Sequence, residues 1–540
     1  MAHEREDEAQ GLPLTGQMRP LDPRQIPNAA GGWVFPINRW DRLLRFLIIG
    51  TEGGTYYVDE GRIQTENLLN TAECLRENGP QVVEITARIA EERRAYKATP
   101  ALWVLALAFR SRDPETRRAA AANFHRIVRN GSELLTFAAI YRQMEGGWGR
   151  LKRAAIRNWY ALRPPEELAY QVLKYQERAR WSHRDLLRMA HPRLGPEDEV
   201  RQAIVRWIVR GWEEVPERPP HEALRLIWAF ERAKRAESEE EIIELIRMHR
   251  LTWEMVPSGF RNSPKVWQAL LPEMPALSLV RHLGYMTSLG VFEDRKALKE
   301  VLRRLEEIHR APIHPVRLLL AATVYEMGQG TRRRWEPLPE ISRALHQACL
   351  RRMEAARPIR QPFLVALDIS GSMWHNRSGQ GLPAIFAAAA YGLYALQREP
   401  EAVVIGFDTQ SHRLFPEALG STVLRLVEGL ARIGRGGTDL SLPFRYIEQS
   451  GVDVEAIVIL TDNETWAGQE HPFAVLRRLR SMRPALRVIN VATTATGYSL
   501  QEPDDPLSFH IVGFDAGVVS LIEEILSASP VSGEQAAPGP

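Results

Sequence analysis

The 540-residue chain has only two cysteines, Cys74 and Cys349, far apart and in no metal-ligand spacing. They provide no disulfide framework, which fits a reducing cytosol and sets the expectation of a cytoplasmic protein. Lysine is also scarce. Seven lysines stand against 63 arginines; Arg is the better fork for phosphates and stacks on bases, although a GC-rich genome gives the same bias. No apolar run is long enough to cross a bilayer. The longest, 382–396, contains Pro and Gly and falls short of the ~20 residues a span requires. No secretory leader is expected, since a charged, then apolar, then small-residue start is missing. The chain holds no His-Glu-x-x-His, no Cys-x-x-Cys and no Gly-x4-Gly-Lys-Ser/Thr loop, so zincin, zinc-ribbon and P-loop chemistry are set aside.

What is present is ordinary for a folded globular protein: 44% hydrophobic, 25% charged, mean hydropathy −0.28. At ~100–200 residues per domain the length predicts about three to five domain-sized units. The net charge of +3 conceals a split. Residues 361–540 carry 12 Arg and no Lys against 20 Asp plus Glu, a net −8, so the rest of the chain is +11. A basic part suits a polyanion partner.

Residues 1–24 are polar and unpatterned, and are expected to form a flexible lead. From about Arg39 to Arg352, within a module expected over 25–358, the texture is helical, with apolar residues recurring at three and four and short turns between. Examples are 100–111, 114–129, 197–212, 219–236 and 295–309. This predicts stacked helix pairs, an α-solenoid, although no crisp repeat period is visible. At 355–362 the texture changes. The runs 363–367, 402–407, 456–460, 488–492 and 509–514 read as buried strands, with helices between them, notably 383–397 and 517–527. Alternating strand and helix predicts a doubly wound parallel α/β sheet over 361–530. The tail 531–540 is expected to be disordered.

The first of these strands runs into Asp368-Ile369-Ser370-Gly371-Ser372. In an open α/β sheet, ligands bind beyond the carboxyl ends of the strands. Oxygen donors on one tight turn suit a hard cation, Mg²⁺ first, with Ca²⁺ and Mn²⁺ as alternatives. Thr438, in a Gly-rich turn, and Asp462, after the 456–460 strand, fall at the same end. The pattern resembles the von Willebrand factor A domain and its metal-ion-dependent adhesion site. That resemblance implies a divalent metal held by Asp368, Ser370, Ser372, Thr438 and Asp462, with one position left for a partner's carboxylate. The alternative is a set of Ser and Asp residues that only cap turns.

In the helical part, charge concentrates between Arg150 and Arg193: eleven basic residues against four acidic ones. Arg150, Lys152 and Arg153 open this stretch. Lys174 and Arg178 are i, i+4, which predicts one face of a helix entered after Pro164-Pro165. Ser182-x-x-Asp185 predicts an N-cap. On the next helix Arg184, Arg188 and His191 are spaced as one stripe, with Arg180 just before it. Trp159 and Trp181 could stack on bases or sit in the core. The bland alternative for the arginines is a solvated face paired to Glu166, Glu167 and Glu177.

Gly31-Gly32-Trp33, the segment Arg45-Phe46-Leu47-Ile48-Ile49-Gly50-Thr51-Glu52-Gly53-Gly54-Thr55-Tyr56-Tyr57, Gly147-Trp148-Gly149-Arg150, and the segment from Lys174 to Arg188 resemble the signatures of the Ro autoantigen (TROVE-module) family. A helical module followed by an A domain is that family's layout. The resemblance implies a ring of HEAT-like helical repeats closed by the A domain. It implies Y RNA on the outer basic surface, at Lys174, Arg178 and His191, and single-stranded 3′ ends of misfolded RNA in the central hole. It further implies RNA decay and maturation with a partner exoribonuclease such as polynucleotide phosphorylase, without catalysis by this chain. Two rivals remain: a scaffold whose metal grips an acidic protein ligand, and a metal-dependent hydrolase using Asp368 and Asp462.

Overall fold

The computed structural model describes residues 15–527 except 52–53, 96, 146, 193–194, 196–197, 212–218, 312, 331–332, 355–357, 377–381, 416–421, 504 and 514–515. The expected disordered tail 531–540, the first fourteen residues of the expected lead, Arg193 and the pair Glu52-Gly53 lie outside the described residues. The chain packs into two compact units. One takes in Met1–Asn70, His314–Leu320 and Arg352–Pro540; the other takes in Thr71–Ile313 and Ala321–Arg351.

The first unit is built on a six-stranded sheet. Its strands are β1 (Phe363–Asp368), β2 (Ala402–Phe407), β3 (Ser411–Leu414), β4 (Ala456–Thr461), β5 (Arg487–Ala492) and β6 (Ser508–Val512). Their order is β6-β5-β4-β1-β2-β3. β1, β4 and β5 are buried at every residue, because helices cover both faces and the strands are near-continuous Val, Ile, Leu and Ala. Leu367 lies opposite Leu460 on one side and Gly406 on the other. The core between sheet and helices includes Phe407, Leu440, Phe444, Ile457, Ile459 and Val475. The sheet is mixed, not parallel throughout. β3 returns antiparallel along β2. At four residues, Ser-His-Arg-Leu, it is too short and polar to read as a strand, and its exposed Arg413 suits an edge.

Residues 15–24 are not a flexible lead. Gln17 is fully buried. Its side-chain amide donates to Asp439 Oδ1 and to the Glu470 carbonyl, both at 2.7 Å, and its backbone N–H to the Gly468 carbonyl at 2.9 Å. Its own carbonyl oxygen accepts from the Thr465 hydroxyl. Composition could not reveal this, because one buried polar residue with both side-chain polar atoms satisfied does the anchoring. The following strand, Trp33–Pro36, pairs with Ile26–Pro27 and with Tyr498–Ser499. Gly32 is needed there: a Cβ would lie 1.7 Å from the Thr465 carbonyl oxygen.

The second unit is helical and capped by its own sequence. Asp113 accepts from the Glu115 and Thr116 amides, and Ser238 and Asp294 cap Glu239–His249 and Arg295–Glu307. The expected single helix 114–129 is two, Pro114–Ala122 and Phe124–Ile127, broken at Asn123. Apolar stripes face inward, as at Leu168, Ala169, Val172 and Leu173 of the helix Pro165–Lys174.

Candidate functional site

Two sites emerge, one in each unit. In the first unit Asp368 ends β1 and Asp462 follows β4, the adjacent strand, so both carboxylates leave the sheet where its strand order reverses. The Ser370 amide donates to Asp368 Oδ1 at 3.0 Å, and the Thr461 hydroxyl to Oδ2 at 2.6 Å. Ser370 and Ser372 hydroxyl oxygens lie 3.3 Å apart. Thr438 arrives on a loop held from below. Asp408 accepts from the Gly436 amide at 2.9 Å, and the Thr438 carbonyl accepts from the Trp466 and Ala467 amides, both at 3.0 Å. All five predicted ligands are buried.

The electrostatics of this cluster are unbalanced. Burial, and then the charge of Asp462, raises the Asp368 carboxyl to about 7. Burial raises Asp462 as well. Burial and then Asp462 raise Glu464 to about 8. Among the described residues no Lys or Arg pairs with any of the three. Buried like charges without a counter-charge are costly. The Thr438 hydroxyl is buried with no hydrogen-bond partner. Two carboxylates and three hydroxyls, the Thr438 oxygen among them orphaned, fit a hard divalent cation. Among the described residues no group of three or more His, Cys, Asp and Glu is placed to hold a metal, so a cation here would need hydroxyl oxygens as well. The sequence reading missed Asn376. Its amide donates to Asp462 Oδ2 at 2.7 Å, and its carbonyl oxygen accepts from the Tyr56 amide at 2.5 Å. It follows the short helix Gly371–His375, a place only the folded loop identifies.

In the second unit the basic stretch is arranged differently from the helical spacing. The helix Pro165–Lys174 ends at Lys174, so Arg178 is not on its face. Arg178 sits instead on a two-residue strand, Glu177–Arg178, paired antiparallel with Trp181–Ser182. Ala179 (φ 48°) and Arg180 (φ 65°) form the turn between them. Positive φ at both central residues marks a type I′ hairpin, which usually carries Asn-Gly. The Ser182–Asp185 capping box is complete. It starts the helix His183–Ala190, which carries exposed Arg184 and Arg188. His191 is not in that stripe. It is the left-handed cap at φ 49°, exposed beyond the last helical residue.

Most of the predicted cations are free of ion pairs. Among the described residues Arg150, Arg153, Arg178, Arg180, Arg184 and Arg188 are exposed and pair with no carboxylate. The expected partners are engaged elsewhere: Glu167 with Arg163, and Glu166 with His221. Arginines of the acidic unit behave oppositely, as Arg477–Glu502, Arg478–Glu448 and Arg480–Asp505 show. Lys152 lies over the Tyr141 ring at 5.1 Å. Trp159 is core, fully buried with its N–H on the Val128 carbonyl. Trp181 is half-buried, edge-on to Trp148 at 5.7 Å. Lys174 is the exception among the cations. Its ammonium meets Glu254 at 2.9 Å. Burial opposes the charge, but the hydrogen bond and charge of Glu254 outweigh it, and its pKa rises above the ordinary lysine value. Glu254 is 80 residues away in sequence, and nothing local announces the pair.

Comparison with known proteins adds to this geometry. The family model of the TROVE domain matches residues 26–367, and that of the Ro60 vWA domain matches residues 362–526. The RNA-binding protein RO60 of Deinococcus radiodurans is 34% identical over 517 residues, covering 94% of this chain and 96% of that protein. Its namesake in Caenorhabditis elegans is 29% identical over 589 residues, covering 95% and 91%. The crystal structure of the Deinococcus radiodurans RO (RSR) protein superposes with a TM-score of 0.70 at 31% identity, covering 91% of this chain and 99% of that one.

Proposed function

From the premise that this chain belongs to the Ro60 family, with its TROVE and vWA domains, we propose that it is an RNA-binding protein of noncoding-RNA quality control. The observation that carries this reading is a set of six arginines of the helical unit that are exposed and, among the described residues, without ion pairs: Arg150 and Arg153 on the helix Arg150–Ala161, Arg178 and Arg180 on the hairpin, and Arg184 and Arg188 on the helix His183–Ala190. Unpaired surface arginines neutralise phosphates and release counterions, and their planar forks match phosphate geometry. In this reading Y RNA docks on Arg178, Arg180, Arg184 and Arg188, with Lys174 and His191 at the edges. Single-stranded 3′ ends of misfolded RNA enter the hole of the ring that the family resemblance implies. An exoribonuclease such as polynucleotide phosphorylase acts on RNA held this way, and this chain supplies binding, not catalysis. A gel-shift titration of Lys174→Ala plus Arg178→Ala with Y RNA tests it: affinity falls at least tenfold if about 1.4 kcal/mol or more is lost, and an unchanged affinity refutes it.

The same reading gives the vWA unit a divalent metal, Mg²⁺ first, on Asp368, Ser370, Ser372, Thr438 and Asp462. The ion supplies the counter-charge that two buried carboxylates lack and a Lewis-acid position for an outside carboxylate. The orphaned Thr438 hydroxyl supports this assignment.

A further inference from the structure

We propose that Glu254 is a built-in competitor of RNA phosphate at Lys174, and so a specificity-determining residue of the basic surface. The proposal rests on the reading of Lys174 as an RNA contact. Lys174 is the last residue of the helix Pro165–Lys174, next to the hairpin that presents Arg178 and Arg180. Glu254 lies on a single 3₁₀ turn, Trp253–Met255. The two side chains are 22% and 18% exposed, so the pair is partly shielded and screened less than a surface bridge.

Glu254 is held in place. Arg261 donates to the Glu254 carbonyl at 2.9 Å and to the Val256 carbonyl at 2.7 Å, and Trp253 stacks on Trp267. The Lys174 ammonium also donates to the Tyr170 hydroxyl at 3.3 Å and faces the Tyr170 and Tyr175 rings. With Glu254 and Tyr170 engaged, one of its three N–H donors is left. A phosphate approaching Lys174 must displace the Glu254 carboxylate or share the ammonium with it. Displacement leaves a shielded carboxylate beside a second anion, which is unfavourable. An arriving polyanion therefore gains little from Lys174 alone. Only an RNA whose backbone also reaches the unpaired arginines recovers enough to open the pair. This penalises nonspecific polyanions, a repulsive element of the kind that sharpens specificity.

The test uses the full chain and a synthetic RNA stem-loop with a single-stranded 3′ extension, with anisotropy titrations between ~50 and ~200 mM salt. Glu254→Gln should tighten binding by about three- to tenfold, since one partly shielded pair is opened. It should also steepen the slope of log affinity against log salt by about 0.7–0.9, one more phosphate neutralised. Glu254→Asp, which keeps the charge, should follow the parent chain, and thermal melting of both variants confirms the fold. Glu254→Gln in a Lys174→Ala background should give no gain. If Lys174→Ala weakens binding and Glu254→Gln leaves affinity and slope unchanged, or weakens binding, Glu254 only positions Lys174 and the proposal is overturned. If Lys174→Ala has no effect, the RNA-contact reading of Lys174 fails, and the proposal with it.

Discussion

His183 places an acid limit on the basic surface. It is the first residue of the helix His183–Ala190, immediately before Arg184. It is 3% exposed, shares a 2.8 Å hydrogen bond with the Tyr160 hydroxyl, and lies in stacked orientation 6.0 Å from Trp159. Burial depresses its pKa from 6.5 to about 4. The folded state therefore refuses a proton that the unfolded chain accepts. This contribution to stability is complete above about pH 6.5, declines as pH falls, and is exhausted near pH 4. Over about 2.5 pH units at about 1.4 kcal/mol each, the loss approaches about 3 kcal/mol, an upper bound for one group. Other histidines with lowered pKa values, such as His314 and His510, add to the acid sensitivity of the whole chain. His183→Gln isolates the term: its stability should fall less than the parent's between about pH 7 and pH 4, by up to about 3 kcal/mol. The direct assay is an NMR titration of ¹³C-labelled histidines, with the His183 signal assigned by its loss in His183→Gln. Titration of that signal near pH 6.5, or equal acid sensitivity in the two proteins, refutes the reasoning.

Further expectations concern the other features. If the six unpaired arginines each neutralise one phosphate, log affinity for RNA falls with log salt at a slope of about −4 to −5, and Arg178→Ala plus Arg180→Ala lowers that slope by about 1.4–1.8; a salt-independent affinity contradicts the interface. Mg²⁺ should raise the melting temperature of the parent chain, and Thr438→Ala and Asp368→Asn should each blunt that rise, read by calorimetry with and without chelator. Gly32→Ala drives a Cβ into the Thr465 carbonyl. It should release residues 15–34 to limited proteolysis and cost more than about 2 kcal/mol by denaturant unfolding. Ala179→Gly removes a left-handed backbone strain of about 1 kcal/mol. It should be neutral or stabilising in thermal melts, the reverse of the usual Ala→Gly effect.

Much of the fold is legible locally. Buried strands such as Phe363–Asp368 appear in the sequence as apolar runs within a residue or so of their ends, because a strand covered on both faces needs no polar alternation. The Asp368-x-Ser370-x-Ser372 turn is equally plain, since strand ends and tight turns are short-range features. The helical spacing of Lys174 and Arg178 misled, because i, i+4 implies a shared face only while the helix continues. It stops at Lys174, and the hairpin that follows is set by a strained turn without glycine. Gln17 was hidden for another reason. A polar residue buried by partners more than 400 positions away leaves no local pattern.

The sequence by itself determined the charge division, the buried strands and most of the helices, the metal-type donor set and the capping box that starts the helix of Arg184 and Arg188. Each depends on residue type and on spacing over a few positions. Tertiary structure alone decided which cations are free. Arg163 went into the core beside Trp159, Lys174 was neutralised by Glu254, and six arginines of the basic stretch were left facing solvent with no carboxylate partner among the described residues. The physical reason is that an ion pair depends on a separation of a few ångströms, and distance in space is set by packing and not by position along the chain.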